Sequence, residues 1–464
     1  MTYKAKHNLM SGTEWTRESN WINDESGSIT LLSLFFFLIT LVMGGLAVDY
    51  NKAMAERTQL QVAADSAAHA ALYTREKKSS NAAVEKALTT VSDMLPQRDF
   101  GTTALMTTDV NFGEWDNENL TFVQKADSKS AVRVRAMMKE ERSNASPTIL
   151  LNMVGQDTLD IGVESIYSTY FPGCFSEGFV AEDVVDIQSN NNFTNGFCIH
   201  SNTYVSMNQN NYFEPGTVVS MPNIDDIDIP RSGFEKNDGL QTALRAGKYR
   251  LRLLNQLPGI IDSFWTAEAE NLPPYVDAGY YYDLDLNAYP GLPEGESAPN
   301  GNTNSLSPYH FEPNAVNRMY CGSGGKITMD AGLYSQFVFV TDCEVKFSNG
   351  VILEDVVVAT TDTGASSLNS PQGLQIGRND ACAPGGGATL MTLGGFDAAA
   401  ALSVFNGQIL AKGDIKFAAS ADGVGGASFV SYGRIEGTSN MNMAFCRNAG
   451  MENAYRASYF RMVN

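Results

Sequence analysis

The chain has 464 residues, of which 43% are hydrophobic, and it carries a formal net charge of −20. This length accommodates two or three domains of roughly 150 residues each, and the apolar content excludes a wholly disordered chain. The negative charge argues against nucleic acid as a partner and against a polybasic membrane-surface patch, because both need a basic surface.

The first predicted element is a transmembrane helix at residues 29–48. Its sequence, ITLLSLFFFLITLVMGGLAV, contains no charged residue. About twenty helical residues rise 30 Å, the thickness of the hydrocarbon core. A cleaved signal peptide would have an apolar run of about 7–15 residues behind a basic segment, whereas here a segment of mixed charge, residues 1–28, comes first. We therefore expect an uncleaved single-pass anchor whose partner is the lipid bilayer.

The cysteines indicate the compartment of the rest of the chain. All of them follow the apolar run, at Cys174, Cys198, Cys321, Cys343, Cys382 and Cys446. An even number on one side of a membrane fits disulfides in an oxidising compartment, although unrelated buried thiols would give the same count. The basic residues flanking the run are too evenly divided to fix its orientation.

Helical sequence continues beyond the membrane. Residues 49–95 lack proline and glycine, and alanine dominates residues 63–71. This composition favours helix and lets another helix approach closely. We predict one long helix with a break near Ser79–Asn81. It should end at Pro96, because proline disfavours helical geometry in the residue before it.

Residues 96–168 predict a small α+β unit. Turn residues separate short apolar runs that read as strands, and the segment Pro147–Gly155 predicts a short helix with a glycine C-cap. The predicted strands are 109–115, 120–124, 131–138 and 158–168.

Residues 169–464 predict a large mainly-β domain. Short apolar pairs recur at about 15–25 residues with polar turns between them, which favours a β-solenoid whose coils stack their apolar pairs, with a β-sandwich as the alternative. Residues 233–320 interrupt this pattern as a helical and loop insertion. Within it we expect two helices split at Pro258 and a tyrosine-rich surface excursion from 272 to 309.

The start of the chain carries a more specific pattern. A glycine precedes the apolar helix, Leu-Ala-Val-Asp closes it, an aromatic residue follows, and a helix with LQ-x-AAD-x-AA-x-AA comes next. Key positions are Gly27, Asp49, Tyr50, Gln61 and Asp65. Residues 25–72 thereby resemble the TadE/G-like proteins of the Flp (Tad) pilus-assembly system. A weaker resemblance extends to residue 168 through Gly113-x-Trp115-Asp116 and Ala131-Val-Arg-Val.

This resemblance implies a membrane-anchored α+β fold with a structural, non-enzymatic role in Flp pilus assembly or in a pilus-associated envelope function. It implies a bacterial inner-membrane location, with residues 1–28 cytoplasmic and the bulk of the chain periplasmic. The implied partners are other pilus-assembly or envelope proteins. Processed pilin-like members carry Glu five residues after the cleavage glycine, where this chain has Leu32. We therefore expect residues 1–27 to be retained.

No catalytic, cofactor or metal site is expected. Asp362-Thr363-Gly364 matches one half of an aspartic protease pair, but no second copy occurs in the chain. Cys198 and His200 are candidates for a nucleophile and base, although structural roles are favoured. The acidic run at 224–229 lacks the order of a calcium loop. The alternative function is a membrane-tethered β-solenoid that binds or cleaves carbohydrate through acidic and aromatic residues along one face.

Six cysteines can pair in fifteen ways. Sequence order suggests local pairs, because cysteines one coil apart would lie on stacked strands about 4.8 Å from each other, within the span of a disulfide. We therefore expect the pairs Cys174–Cys198 and Cys321–Cys343, which leaves Cys382 and Cys446 to pair across a larger loop.

Overall fold

The computed structural model describes residues 28–295, 304–322, 324–438, 440–447 and 449–463. Residues 1–27 of the predicted cytoplasmic segment, including the processing glycine Gly27, lie outside these residues. The chain divides into two compact units, Met1–Thr169 with Phe460–Asn464, and Tyr170–Tyr459. The sequence prediction placed the long helix, the small α+β unit and the chain end in three separate regions, whereas the structure groups them in the first unit.

Three helices begin the first unit: α1 (Ser28–Lys77), α2 (Ser80–Met94) and α3 (Gln97–Phe100). The break after Lys77 is where it was predicted, and Ser79 caps α2 by accepting a hydrogen bond from the backbone N–H of Ala82. The start of α1 is long and apolar enough to cross a bilayer, and its side chains are exposed.

Six strands follow in the first unit: β1 (Val110–Asp116), β2 (Thr121–Gln124), β3 (Ala131–Met138), β4 (Ser146–Pro147), β5 (Thr158–Leu159) and β6 (Ile161–Tyr170). The order β2-β1-β3-β6 is antiparallel, and β4 pairs with β5. The predicted helix from Pro147 is wrong in extent. Pro147 pairs in β4, and only Leu151–Val154 form a 3-10 turn, which Gly155 closes at φ 90° as predicted.

Alanines join the helices of the first unit to its sheet. A stripe on α1 is fully buried with α2 and with the inner face of β3, and its members are Ala63, Ala64, Ala67, Ala68 and Ala71. Small side chains let the two helices and the sheet approach closely, so this core depends on the absence of bulk.

The second unit is mainly β. Among the described residues, twenty-three strands form one sheet. They are β7 (Gly178–Ala181), β8 (Val185–Ile187), β9 (Asn192–Phe193), β10 (Cys198–Ser201), β11 (Val205–Met207), β12 (Asn211–Phe213), β13 (Val218–Met221), β14 (Asn237–Asp238), β15 (Leu244–Ala246), β16 (Tyr281–Asp283), β17 (Ser305–Leu306), β18 (Val316–Met319), β19 (Lys326–Met329), β20 (Gly332–Thr341), β21 (Glu344–Phe347), β22 (Val351–Thr360), β23 (Leu368–Ser370), β24 (Leu374–Ile376), β25 (Ala388–Thr392), β26 (Phe396–Ala411), β27 (Ile415–Ser431), β28 (Ile435–Gly437) and β29 (Asn442–Ala444). A last strand, β30 (Tyr459–Met462), pairs with β6 at the edge of the first sheet.

The strands of the second unit pair in parallel. The longest series of neighbours, here called the long ladder, runs β16, β18, β20, β22, β25, β26, β27, β7, β10, β13 and β15. Parallel pairing differs from the antiparallel sheets of a β-sandwich. The spacing is uneven: Cys198 pairs with Val218, whereas Val356 pairs with Ala388, and β26 shifts register against β27 near Leu402.

The first strand of this unit does not lie at an end of the ladder. Instead β7 pairs with β27 on one side and β10 on the other, so the start and the finish of the unit meet inside the ladder. The two ends of the ladder are β15 and β16, which are consecutive in sequence. The segment between them, residues 247–280, therefore carries the chain along the length of the ladder.

Two helices lie in or beside this segment: α4 (Leu240–Ala243) and α5 (Arg252–Phe264). The predicted split at Pro258 is wrong, because α5 continues through it. Pro258 lies on the exposed face, while the opposite face is buried against the outer side of the long ladder. The packing of that face stabilises the helix by more than the missing hydrogen bond of proline destabilises it. The predicted insertion 233–320 also supplies strands β14 to β18, so it is not only helix and loop.

Stacked side chains fill the inside of the second unit. Phe179 of β7 stacks on Phe429 of β27 with ring centroids 5.1 Å apart, at the point inside the ladder where these two strands pair. Asparagines stack beside the aromatic rings: the amide of Asn191 donates to Asn211 at 3.0 Å, and that of Asn211 donates to Asn237 at 3.2 Å. Each buried amide thereby finds its partner in the next strand, as buried polar groups require.

Candidate functional site

The predicted motif residue Asp49 lies directly after the apolar run and is only 1% exposed. Its carboxylate accepts three backbone hydrogen bonds, from the N–H groups of Ile149 (2.7 Å), Leu150 (2.9 Å) and Leu151 (2.7 Å). These amides begin the 3-10 turn, where backbone donors lack partners of their own and favour an anion. The aspartate therefore joins the end of the apolar run of α1 to the loop between β4 and β5.

The pKa of Asp49 follows from these contacts. Burial opposes the charged form, but the three backbone amides and the nearby Lys52 together outweigh burial and lower the pKa below its ordinary value of 3.8. The carboxylate is thus charged at neutral pH, in the form that accepts all three hydrogen bonds.

The next turns of α1 reinforce the same contact. Lys52 donates to the Ser146 hydroxyl at 2.8 Å and to the Pro147 carbonyl at 2.7 Å, and it pairs with Glu56 at 2.9 Å. Ser146 donates in turn to Glu56. Asp49, Lys52 and Glu56 are spaced three and four residues apart and so share one face of the helix. We call Asp49, Lys52, Glu56 and Ser146 the polar clamp.

A glycine inside the apolar run permits a further close contact. A Cβ atom added to Gly45 would lie 2.8 Å from the Cβ of Leu150, so a larger residue would displace the loop. Leu150 therefore reaches the level of the last turn of the apolar run, one helical turn before Asp49.

Gln61 and Asp65 lie farther along α1, beside an open groove of about 730 Å³. The Gln61 amide donates to Asp65 at 2.8 Å and to the Glu164 carbonyl of β6 at 3.1 Å, which fixes the helix to the sheet. Basic side chains of Arg57, Arg135 and Lys139 also line this groove, together with Glu164. The groove carries both signs of charge and suits a polar protein segment.

The structure separates the motif into distinct roles. Asp49 and Gln61 make contacts that hold the unit together, whereas Tyr50 is exposed beside them. Sequence reasoning missed Lys52, Glu56 and Ser146. The spacing of the two helix residues from Asp49 was a usable signal, but their partner is about 90 residues away and no local pattern identifies it.

All six cysteines form disulfides in the second unit, in the pairs suggested by their sequence order. The Cα atoms are 4.8 Å apart in Cys174–Cys198, 5.4 Å in Cys321–Cys343 and 5.6 Å in Cys382–Cys446. Cys321 and Cys343 follow strands paired in the long ladder, as the stacking argument expects. Their sulfurs lie near Asp342 in a metal-like cluster, but both are held in the disulfide.

The other candidates for chemistry have structural partners. Because Cys198 is in a disulfide, it cannot act as a thiolate nucleophile beside His200. His200 is buried between the Ser220 hydroxyl (2.7 Å) and the Asn202 side chain (3.0 Å), and burial lowers its pKa. Asp362 accepts a hydrogen bond from the N–H of Gly364 within its own turn.

An acidic stretch of the ladder surface is ion-paired. Glu436 lies 3.6 Å from Lys416 and 3.4 Å from Arg434, beside Asp186 and Asp397 in a shallow cavity of about 270 Å³. Burial is the main reason that the pKa of Asp186 is raised.

Comparisons with known proteins identify two families along the chain. The model of a family described as a domain of unknown function, DUF7867, matches residues 178–447, which is most of the second unit. The model of the Flp pilus-assembly TadE/G-like family matches residues 27–83, which include Asp49 and the groove-lining residues of α1. No curated protein and no solved structure matches the chain.

Proposed function

Because this chain belongs to the DUF7867 family and carries a TadE/G-like segment at its start, we propose that it is a non-catalytic, membrane-anchored component of Flp pilus assembly. Residues 29–48 span the inner membrane, the N-terminus is cytoplasmic, and both folded units are periplasmic. The second unit is an irregular β-solenoid presented by the first. The match to the pilus-assembly family at residues 27–83 carries this proposal.

Two features of the described residues support the proposal. The polar clamp fixes the folded part of the first unit to the helix at the point where the helix leaves the apolar run. A structural anchor needs such a rigid connection, because a flexible linker would leave the position of the unit undefined. The disulfides of the second unit fit an oxidising compartment such as the periplasm.

The carbohydrate alternative has no comparable support. On the ladder surface Glu436 is ion-paired with Lys416 and Arg434, and Phe417 beside it is buried. Neither family description mentions carbohydrate.

Photo-crosslinking in living cells tests the proposal. A photoreactive amino acid replaces Tyr50 or Arg57, which are exposed on the matched segment, and a control replaces Leu120, which is exposed in the turn between β1 and β2. We expect the first two positions to capture pilus-assembly proteins or pilin and Leu120 to capture none of them. Capture restricted to proteins unrelated to pili, at all three positions, would overturn the proposal. So would retention of glycan fragments by the purified protein together with normal pilus formation in its absence.

A further inference from the structure

The loop between β4 and β5 exposes large apolar side chains. Its sequence is TILLNMVGQD over residues 148–157. Ile149, whose backbone N–H bonds to Asp49, is 55% exposed, and Met153, two residues beyond the last of these bonds, is 69% exposed. Isolated exposed apolar residues are common on soluble surfaces, so their exposure alone identifies no partner.

The position of the loop does identify a partner for these side chains. The three hydrogen bonds to Asp49 hold residues 149–151 at the end of the apolar run. Leu150 reaches farther, to Gly45, which lies three residues inside that run. With a rise of about 1.5 Å per residue, this contact is about 4–5 Å below the end of the membrane span. A loop held at that level cannot avoid the lipid that surrounds the helix.

The polar groups near the loop lie where the boundary between the hydrocarbon and the lipid headgroups is expected. Lys52 and Glu56 lie on the side of the loop away from the membrane and are bonded to Ser146. The long side chain of Lys52 extends from the helix toward these oxygens, at the depth of lipid headgroups. The backbone N–H groups of Ile149, Leu150 and Leu151, which hydrocarbon would leave unpaired, donate to Asp49. This part of the loop therefore meets the rule that backbone donors near hydrocarbon are satisfied within the protein.

We propose that this loop inserts Ile149 and Met153 into the leaflet that faces the folded units, as a second membrane contact beside the transmembrane helix. The inference rests on the proposed anchor at residues 29–48. The occupant of the apolar surface is the acyl-chain region of the same bilayer. The contact would fix the tilt and rotation of the first unit at the membrane, because two points of insertion define an orientation that a single helix leaves free.

Spin labelling of the full-length protein in nanodiscs tests this contact. The native cysteines are all in disulfides, so a single added cysteine is the only labelling site. The variants are Ile149→Cys and Met153→Cys, with Phe37→Cys as a control inside the span and Val62→Cys as an exposed apolar control farther along α1. For each label, collision rates are measured with oxygen, which concentrates in lipid, and with a water-soluble nickel complex.

We expect labels at 149 and 153 to collide with nickel several-fold less often than the label at 62, and to resemble the label at 37 in their preference for oxygen. If the label at 37 is in lipid while 149 and 153 behave like 62, the loop proposal is overturned and the anchor is retained. If the label at 37 is itself in water, the anchor fails and the loop proposal fails with it.

A second measurement uses the unmodified protein, in case a label disturbs the loop. Nanodiscs are prepared with lipids that carry a diazirine near the glycerol end of the acyl chain, and crosslinked peptides are mapped after irradiation. We expect adducts in residues 148–157 and none in the exposed turn at Leu120. Adducts in the span 29–48 without any in the loop would contradict the proposal.

Discussion

The two units of this protein use different means to exclude water from their cores. The first packs two helices on an antiparallel sheet through a stripe of alanines and adds a few long-range polar contacts, of which the polar clamp is the most extensive. The second stacks large side chains strand upon strand and adds three disulfides. The first core is therefore sensitive to added volume and the second to lost volume.

The largest effect is expected from Phe179→Ala. Phe179 is fully buried and stacks on Phe429 where β7, the first strand of the second unit, pairs with β27. Replacing a buried aromatic ring by a methyl group leaves a cavity and costs about 3–5 kcal/mol. Chemical denaturation with hydrogen exchange read separately for each unit should show the loss in the second unit. Tyr212→Ala removes an exposed ring from the same sheet and serves as the control; an equal loss there would contradict the stacking account.

The next effect concerns the disulfide between Cys321 and Cys343. Cys321→Ala should lower the stability of the second unit by about 2–4 kcal/mol, mainly by freeing the unfolded chain. It should also expose one new thiol, at Cys343. Mass mapping after maleimide labelling of the denatured, non-reduced protein measures this. If the wild-type chain already labels at both cysteines, the bridge is absent in solution.

A smaller effect, caused by added volume and not by lost volume, is expected in the first unit. Ala67→Leu adds volume to the fully buried stripe on α1 and should cost about 1–3 kcal/mol, because the helices cannot separate without losing other contacts. Ala55→Leu places the same side chain on the exposed face of the helix and should leave stability unchanged. Tolerance of leucine at residue 67 would show that this core is not close-packed.

The smallest effect is a difference in acid sensitivity between the units. His200, in the second unit, has a pKa below its ordinary value of 6.5 because of burial. The contribution of the neutral His200 to the stability of the second unit is complete above pH 6.5. It is lost as the pH falls toward the pKa of His200 in the folded state. Asp49, in the first unit, has a pKa below 3.8 and loses its contribution only in stronger acid. Hydrogen exchange corrected for intrinsic rates should show the second unit weakening first. His200→Gln should reduce the dependence of the second unit's stability on pH. An unchanged pH dependence would assign it to other groups.

The same contrast explains what could be predicted from sequence. The break in the long helix before Ser80 and the end at Pro96 followed from local rules, because capping and proline geometry act within a few residues. Two of the cysteine pairs followed from a separation of about one coil, and the third was the pair that remained. In both cases the information lies close together in the chain or repeats along it.

Other features depend on contacts between distant residues. Pro258 stayed inside α5 because the opposite face of that helix packs on strands up to about 180 residues farther on, such as that of Val430. The meeting of β7 with β27 inside the ladder likewise has no local signature. At the candidate site, Asp49 was recognisable from its motif, but its partners at 149–151 were not, because their contribution is backbone N–H groups that any sequence supplies.

The proposed function depends above all on the membrane topology of the chain. A reporter that combines alkaline phosphatase with a fluorescent protein is fused after residue 464, and in a second strain before residue 1. The phosphatase is active only in the periplasm, and the fluorescent protein folds only in the cytoplasm. We expect the fusion after residue 464 to be enzymatically active and dark, and the fusion before residue 1 to be fluorescent and inactive. Fluorescence without phosphatase activity from the fusion after residue 464 would contradict the proposed anchor and the periplasmic location of both units.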